Sequence, residues 1–196
     1  MIELTVKEQK AILRVYKDFT NFYNANSLSK TIGITQVGTM KILKRLSKAN
    51  IMISKRIGKS LVYKINTSDD LAQRVVGFVL ANESRDNERW EAEFRQIHKL
   101  SKIVLFYGSA SRNYSNSRDI DLMIIQDKDN MKETSKTLQE IQSLLPKKIH
   151  VIQATRDDLI KNLKNHNEAM IEIIKTAVVL HGEDYYMEVL NGFAGF

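Results

Sequence analysis

The 196-residue chain contains no cysteine and a single proline, Pro146. Without Cys it can hold neither a disulfide scaffold nor a thiolate metal site. It has no apolar run long enough to cross a bilayer, and its opening MIELTVKEQK lacks the apolar core of a secretory signal. No membrane partner is expected, and the expected compartment is the cytoplasm. Aromatic residues are 8% of the chain, with one Trp, but hydrophobic residues reach 43% and charged residues 27%. Such a composition can bury a core and is not that of a disordered chain.

Charge is present in excess and unevenly placed. Residues 1–66 hold 13 Lys and Arg against three acids, Glu3, Glu8 and Asp18, whereas residues 67–196 hold 17 against 20 acids. The formal charge of +7 therefore separates into +10 and −3. A basic part joined to a slightly acidic part implies two modules, the first suited to a polyanion.

In the basic part, Ala11, Ile12, Val15, Tyr16 and Phe19 recur at helical spacing, and Thr5 with Glu8 has the spacing of a capping box. A second helix is predicted over about Ser27 to Ile32, stopped by Gly33, and a third from the N-cap Thr35 to about Ala49 with Leu43 and Leu46 inward. Gly38 inside that helix costs stability, so it is either tolerated or required by a close approach, DNA being one partner that would need it. Ile51 to Ile65 alternates around Gly58-Lys59 as a hairpin does. This stretch, LSKTIGITQVGTMKILKRLSKANIMISKRIGKSLVYKI, resembles the winged helix-turn-helix family. The resemblance implies that the third helix enters the major groove of double-stranded DNA. Thr35, Gln36, Val37, Met40, Lys41, Lys44 and Arg45 would face it, with Gln36 suited to an adenine edge. Lys55, Arg56 and Lys59 would arm the wing.

Asp69 to Ala81 is predicted as a connecting helix and Glu88 to Leu100 as a helix burying Trp90, Phe94, Ile97 and Leu100; His98 beside that stripe reads as a surface or core residue rather than a ligand, and His166 and His181 have no partner at metal-ligand spacing. Ile103 to Tyr107 is a short apolar strand ended by Gly108-Ser109. Asp119-Ile120-Asp121 opens the next strand, and its period puts both carboxylates on one face. Side-by-side carboxylates repel unless a shared cation offsets them. Asp157 and Asp158 lie at a helix start after Thr155, where carboxylates cap, so they are not counted as catalytic.

Gly108, Ser109, Asp119 and Asp121 resemble the motif of the polymerase-beta-like nucleotidyltransferases, in their minimal form, over residues 86–196. AVVLHGEDYYMEVL looks like that family's closing strand, Gly and helix. The resemblance implies Mg²⁺ or Mn²⁺ on Asp119 and Asp121. It further implies an NTP whose phosphates meet Ser109 and the amides near Gly108, with Arg112 or Arg118 adding charge. Three features depart from the pattern. Ser111-Arg112-Asn113 stands where a Gly is common, Arg118 replaces a Ser in a shortened gap, and the third carboxylate position falls on His150. His150 is either a base or ligand in that acid's place, or the mark of weakened catalysis.

The expected fold is mixed α/β, a small winged-helix domain (1–66), a connecting helix and linker (67–85), and an α+β domain (86–196) whose mixed central sheet is flanked by helices. The expected function is a DNA-binding transcriptional regulator, acting as a homodimer, with a fused domain that binds Mg²⁺ and a nucleotide. Two alternatives are an active nucleotidyltransferase holding its substrate on the winged helix, and a nucleotidyltransferase-like antitoxin partner.

Overall fold

The first helix starts where its sequence supplies both halves of a cap: the Thr5 hydroxyl accepts from the Glu8 N–H, and the Glu8 carboxylate accepts from the Thr5 N–H. A computed structural model describes residues 3–196. Helices α1 (Val6–Lys17), α2 (Ala25–Ile32) and α3 (Gln36–Lys48) precede strands β1 (Met52–Ile57) and β2 (Ser60–Ile65). α2 begins earlier than the apolar pattern alone indicates, because the Asn24 side chain accepts from two N–H groups of its first turn. Gly33 ends it at φ 68°, where a β-carbon is unfavourable. The hairpin turns at Gly58, φ 57°, with Ile57 opposite Ser60. Three helices followed by a hairpin are the element order expected of a winged helix-turn-helix.

Buried Ala11, Ile12, Val15, Tyr16, Leu28, Leu43, Leu46, Val62 and Ile65 form the interior of this unit. Polar groups are buried with them and paired. Glu8 is 2% exposed and takes two bonds from Arg45, at 2.8 and 3.0 Å. Asp18 accepts from the Tyr23 hydroxyl and from the Asn21 amide at 2.8 Å. The Lys64 ammonium donates to the Phe19 carbonyl, and burial lowers its pKa.

The chain continues through α4 (Asp70–Arg85), α5 (Glu88–Glu93), α6 (Arg95–His98), β3 (Ile103–Tyr107), α7 (Gly108–Arg112), β4 (Asp119–Ile125) and α8 (Met131–Leu144). It ends with β5 (Lys148–Ala154), α9 (Arg156–Lys164), α10 (Glu168–Thr176), β6 (Val178–His181) and α11 (Glu183–Leu190). Two compact units result, one of residues up to Val79 with Met187–Phe196, the other Leu80–Tyr186. The last ten residues thus group with the winged helix. There Asn191 accepts from the Tyr16 hydroxyl at 2.9 Å, and the Phe193 ring lies 5.8 Å from Phe19. Most of the segment expected as linker is the single helix α4, and the helix expected from Glu88 is broken at Phe94 into α5 and α6.

The second unit is built on one four-stranded sheet in the order β5-β4-β3-β6. β4 and β5 pair parallel, and the other pairs are antiparallel. Val104, Phe106, Ile120, Leu122 and Ile124 join Trp90, Phe94, Ile97, Leu138 and Ile141 in one apolar cluster. The alternate residues Ile103, Leu105, Met123 and Ile125 are buried as well. Burial on both faces explains why these strands read as unbroken apolar runs rather than alternating ones. No described helix is long and apolar enough to cross a membrane.

At the end of β6 the imidazoles of His98 and His181 stack at 4.3 Å with planes 9° apart, and His98 Nε2 is buried without a hydrogen-bond partner. Both histidines, expected at the surface, in a loop or in the core, are half-buried here. Gly182 follows at φ 80°, where an added β-carbon would overlap the Lys102 carbonyl. Gly182→Ala is expected to lower the unfolding free energy by at least about 1–2 kcal/mol, the left-handed penalty alone, in chemical denaturation.

Burial, reinforced by His181, pushes His98 down to about 4. The unfolded chain then takes up a proton that the folded chain refuses, so stability falls as pH drops from about 6.5 towards about 4. The urea midpoint is expected to decline between about pH 7 and about pH 5, and less steeply in His98→Phe.

Candidate metal centre and nucleic-acid face

The centre begins with a missing side chain. Tyr107, the last residue of β3, pairs with Asp121, and Gly108 turns the chain at φ 77° directly beneath that carboxylate. A β-carbon at Gly108 would overlap Asp121 Oδ2. Only glycine satisfies both the backbone angle and the space.

Asp119 and Asp121 alternate along β4 and share a face, both half-buried. The parallel register of β4 with β5 sets His150 opposite Asp121. His150 Nδ1 lies 3.3 Å from Asp119 Oδ2 and 3.8 Å from Asp121 Oδ1, and one ligand atom from each of the three falls within 4.8 Å of the others. Burial first, and the charge of Asp119 second, raise the Asp121 pKa, which His150 opposes. The site therefore disfavours holding two bare carboxylates, and a cation placed among them would relieve that cost.

The loop entering β4 is held by a residue that sequence spacing does not reveal. The Lys147 ammonium donates to the carbonyls of Tyr114 and Ser117, the latter at 2.7 Å, and to Ser117 Oγ at 3.1 Å. It also sits 4.0 Å from the Tyr114 ring, which packs against Trp90 at 5.0 Å, with the Arg89 guanidinium 4.9 Å from both rings. Lys147 thus fixes the backbone just before Arg118 and Asp119. Ser109, Arg112 and Arg118 are exposed around this loop.

On the winged helix, the first turns of α3 present Thr35, Gln36, Val37, Met40, Lys41 and Lys44 to solvent, while Thr39, Leu43 and Leu46 are buried. Val37 is 68% exposed, unusual for a valine beside a core. Arg45 is exposed too, and its guanidinium also pairs with Glu8 and donates to the Glu3 carbonyl. Gly38 is explained within the fold: its β-carbon would stand 3.1 Å from both Ile34 Cγ2 and Thr35 Oγ1, so the close approach is to the helix cap. Lys55, Arg56 and Lys59 are exposed on the hairpin, with Lys55 Nζ 5.8 Å from the Phe196 ring.

Replacing Lys147 by Met leaves the Tyr114 and Ser117 carbonyls without their charged donor. Lys147→Met is expected to cost about 1.5–3 kcal/mol in urea denaturation, with Lys147→Arg recovering part of it.

No protein-family model matches the chain, and no curated protein matches it. Among solved structures, adhesin competence repressor (AdcR) of Streptococcus pyogenes is 16% identical, with a TM-score of 0.37 over 50% of this chain and 69% of that one. A mutant of ZitR from Lactococcus lactis is 13% identical, with a TM-score of 0.34 over 73% of this chain and 76% of its own. Likeness at this level does not establish a shared fold.

Proposed function

We propose that the chain is a DNA-binding transcriptional regulator whose second unit, of nucleotidyltransferase type, binds a divalent cation and a nucleotide. The observation that carries this reading is the three-donor cluster of Asp119, Asp121 and His150 over Gly108, in a chain whose other unit is a winged helix. Strand, Gly-Ser turn and Asp-x-Asp strand follow the order that the sequence motif implies, with β5 supplying the third donor from the neighbouring register position.

For the DNA half, support comes from the exposed start of α3. Gln36 offers an amide to a base edge, Val37 an apolar surface to a thymine methyl, and Lys41 and Lys44 offer charge to phosphates. The wing cations Lys55, Arg56 and Lys59 extend the same field. A homodimer belongs to this reading, since paired half-sites need two recognition helices.

For the second half, two partly exposed carboxylates and one imidazole are a donor set that suits a divalent cation. Such an ion would supply Lewis-acid neutralisation of phosphate oxygens. The chain's own contribution is to hold the three donors in register, with the Ser109 hydroxyl and the Arg112 and Arg118 guanidinium groups available to further phosphate oxygens. A second reading, an active transferase, is favoured by one observation. His150 occupies the third position with its nitrogen among the carboxylates, so the face keeps three donors rather than two.

Fluorescence polarisation against genomic DNA fragments tests the first half. Affinity is expected to fall steeply with salt, and each of Lys41→Gln, Lys44→Gln and Arg56→Gln to reduce the log–log slope by about 0.9. An absence of DNA binding at low salt overturns the regulator. Labelled NTP with Mg²⁺ or Mn²⁺ tests the second half: binding is expected to vanish in Asp119→Asn and Asp121→Asn, and binding unchanged in both overturns the assigned site. Label transfer to an acceptor by the wild type, lost in the same variants, selects the transferase.

A further inference from the structure

We propose that the Asp119–Asp121–His150 centre selects a first-row transition dication over Mg²⁺. The inference rests on the reading that this cluster holds a metal, and adds which kind.

The argument starts from the third donor. β5 pairs with β4 in parallel register over its whole length, from Asp119 opposite Lys148 to Ile125 opposite Ala154. The ladder fixes the His150 backbone opposite Asp121, and from there its imidazole reaches both carboxylates. The atom facing the carboxylates is Nδ1, at 3.3 and 3.8 Å. With the ring proton on Nε2, Nδ1 offers a lone pair in the space the two carboxylates share.

Two consequences separate metals. Imidazole is a poor donor for Mg²⁺, which demands oxygen in a near-octahedral shell and gives up water reluctantly. It is a good donor for later first-row ions, whose affinity for nitrogen rises along the series. Charge acts in the same direction. Two carboxylates and a neutral ring present −2 to the ion, so the centre balances a dication without the extra negative charge that a third carboxylate would add. Mg²⁺, whose binding is almost wholly electrostatic, loses most from that difference. The cluster is also open: the side chains of Asp119, Asp121 and His150 are 32%, 21% and 49% exposed, so solvent or phosphate oxygens have access to the remaining coordination positions.

The test uses the full chain and the metals alone. Isothermal titration with CoCl₂, MnCl₂ and MgCl₂ is expected to give a Co²⁺ affinity at least about tenfold above that for Mg²⁺, with Mn²⁺ between. The visible bands of bound Co²⁺ should show a nitrogen ligand, lost in His150→Asp. In that variant the Co²⁺-to-Mg²⁺ preference should collapse towards unity as Mg²⁺ binding tightens. Equal or tighter Mg²⁺ binding by the wild type overturns the preference while leaving the metal reading intact. Co²⁺ binding that survives Asp121→Asn places the ion elsewhere, for instance at His98 and His181, and overturns the assignment. Mg²⁺ binding by His150→Asp with no metal bound by the wild type makes His150 a block rather than a ligand, and overturns the proposal. Failure of both proteins to bind any dication overturns the metal reading itself.

Discussion

The pairing of β4 with β5 is the one parallel ladder in a sheet whose other pairs are antiparallel, and the second unit's chemistry depends on it. Parallel neighbours need a crossover, here supplied by α8, which seals Leu138 and Ile141 against Ile120, Leu122 and Ile124. The register is pinned at the start of β4, where buried Ile120 and Leu122 alternate with half-buried Asp119 and Asp121. Once that frame is fixed, His150 must lie opposite Asp121. A one-residue slip would turn the carboxylates towards the core, where uncompensated charge is prohibitive. Packing on one face of the strand thereby positions three donors on the other.

Lys147 stands at the end of the same crossover, just before β5. Its ammonium gathers two carbonyls and a hydroxyl from the loop that feeds β4, so the strand carrying His150 and the loop carrying Arg118 are tied by one side chain. Hydrogen bonds from a charged donor in a partly buried setting are stronger than neutral ones. Gly108 completes the constraint from β3, since any side chain there would displace Asp121. The turn after β3, β4 and β5 therefore contribute one element each: space, carboxylates and nitrogen.

Much of this was legible in the sequence, and the limits have physical causes. Local signals read well. The Thr5–Glu8 box, the Gly33 stop, the Thr35 cap and the Gly58-Lys59 turn depend only on neighbouring residues, and each appears as expected. Strand periodicity placed Asp119 and Asp121 on one face, and the third position fell on His150, which the register brings to them. Contacts between distant residues were not legible. The pairing of Arg45, expected as a DNA-facing cation, with a buried Glu8 37 residues earlier is one of them. Lys147 carries no motif, because its partners lie thirty or more residues earlier. The division of the chain was also hidden: α4 runs through the expected linker with no Gly or Pro cluster to mark a boundary, and Met187–Phe196 returns to the first unit through contacts such as Tyr16 with Asn191.

Burial also changes what the charge count means. Of the three acids in residues 1–66, Glu8 and Asp18 are each 2% exposed. Glu8 is matched by Arg45 at 2.8 Å, and Asp18 by hydrogen bonds from Tyr23 and Asn21. Lys17 and Lys64 are buried too, at 3% and 1% exposed. The groups withdrawn from the surface are thus two anions and two lysines, with Arg45 occupied at the boundary. What solvent meets on α3 and the hairpin is Lys41, Lys44, Arg45, Lys48, Lys55, Arg56 and Lys59, with no acid among residues 19–66 to offset them. Folding therefore withdraws equal charge of both signs, leaving the excess of +10 over residues 1–66 unchanged, and it gathers the exposed cations on α3 and the hairpin as a local positive field.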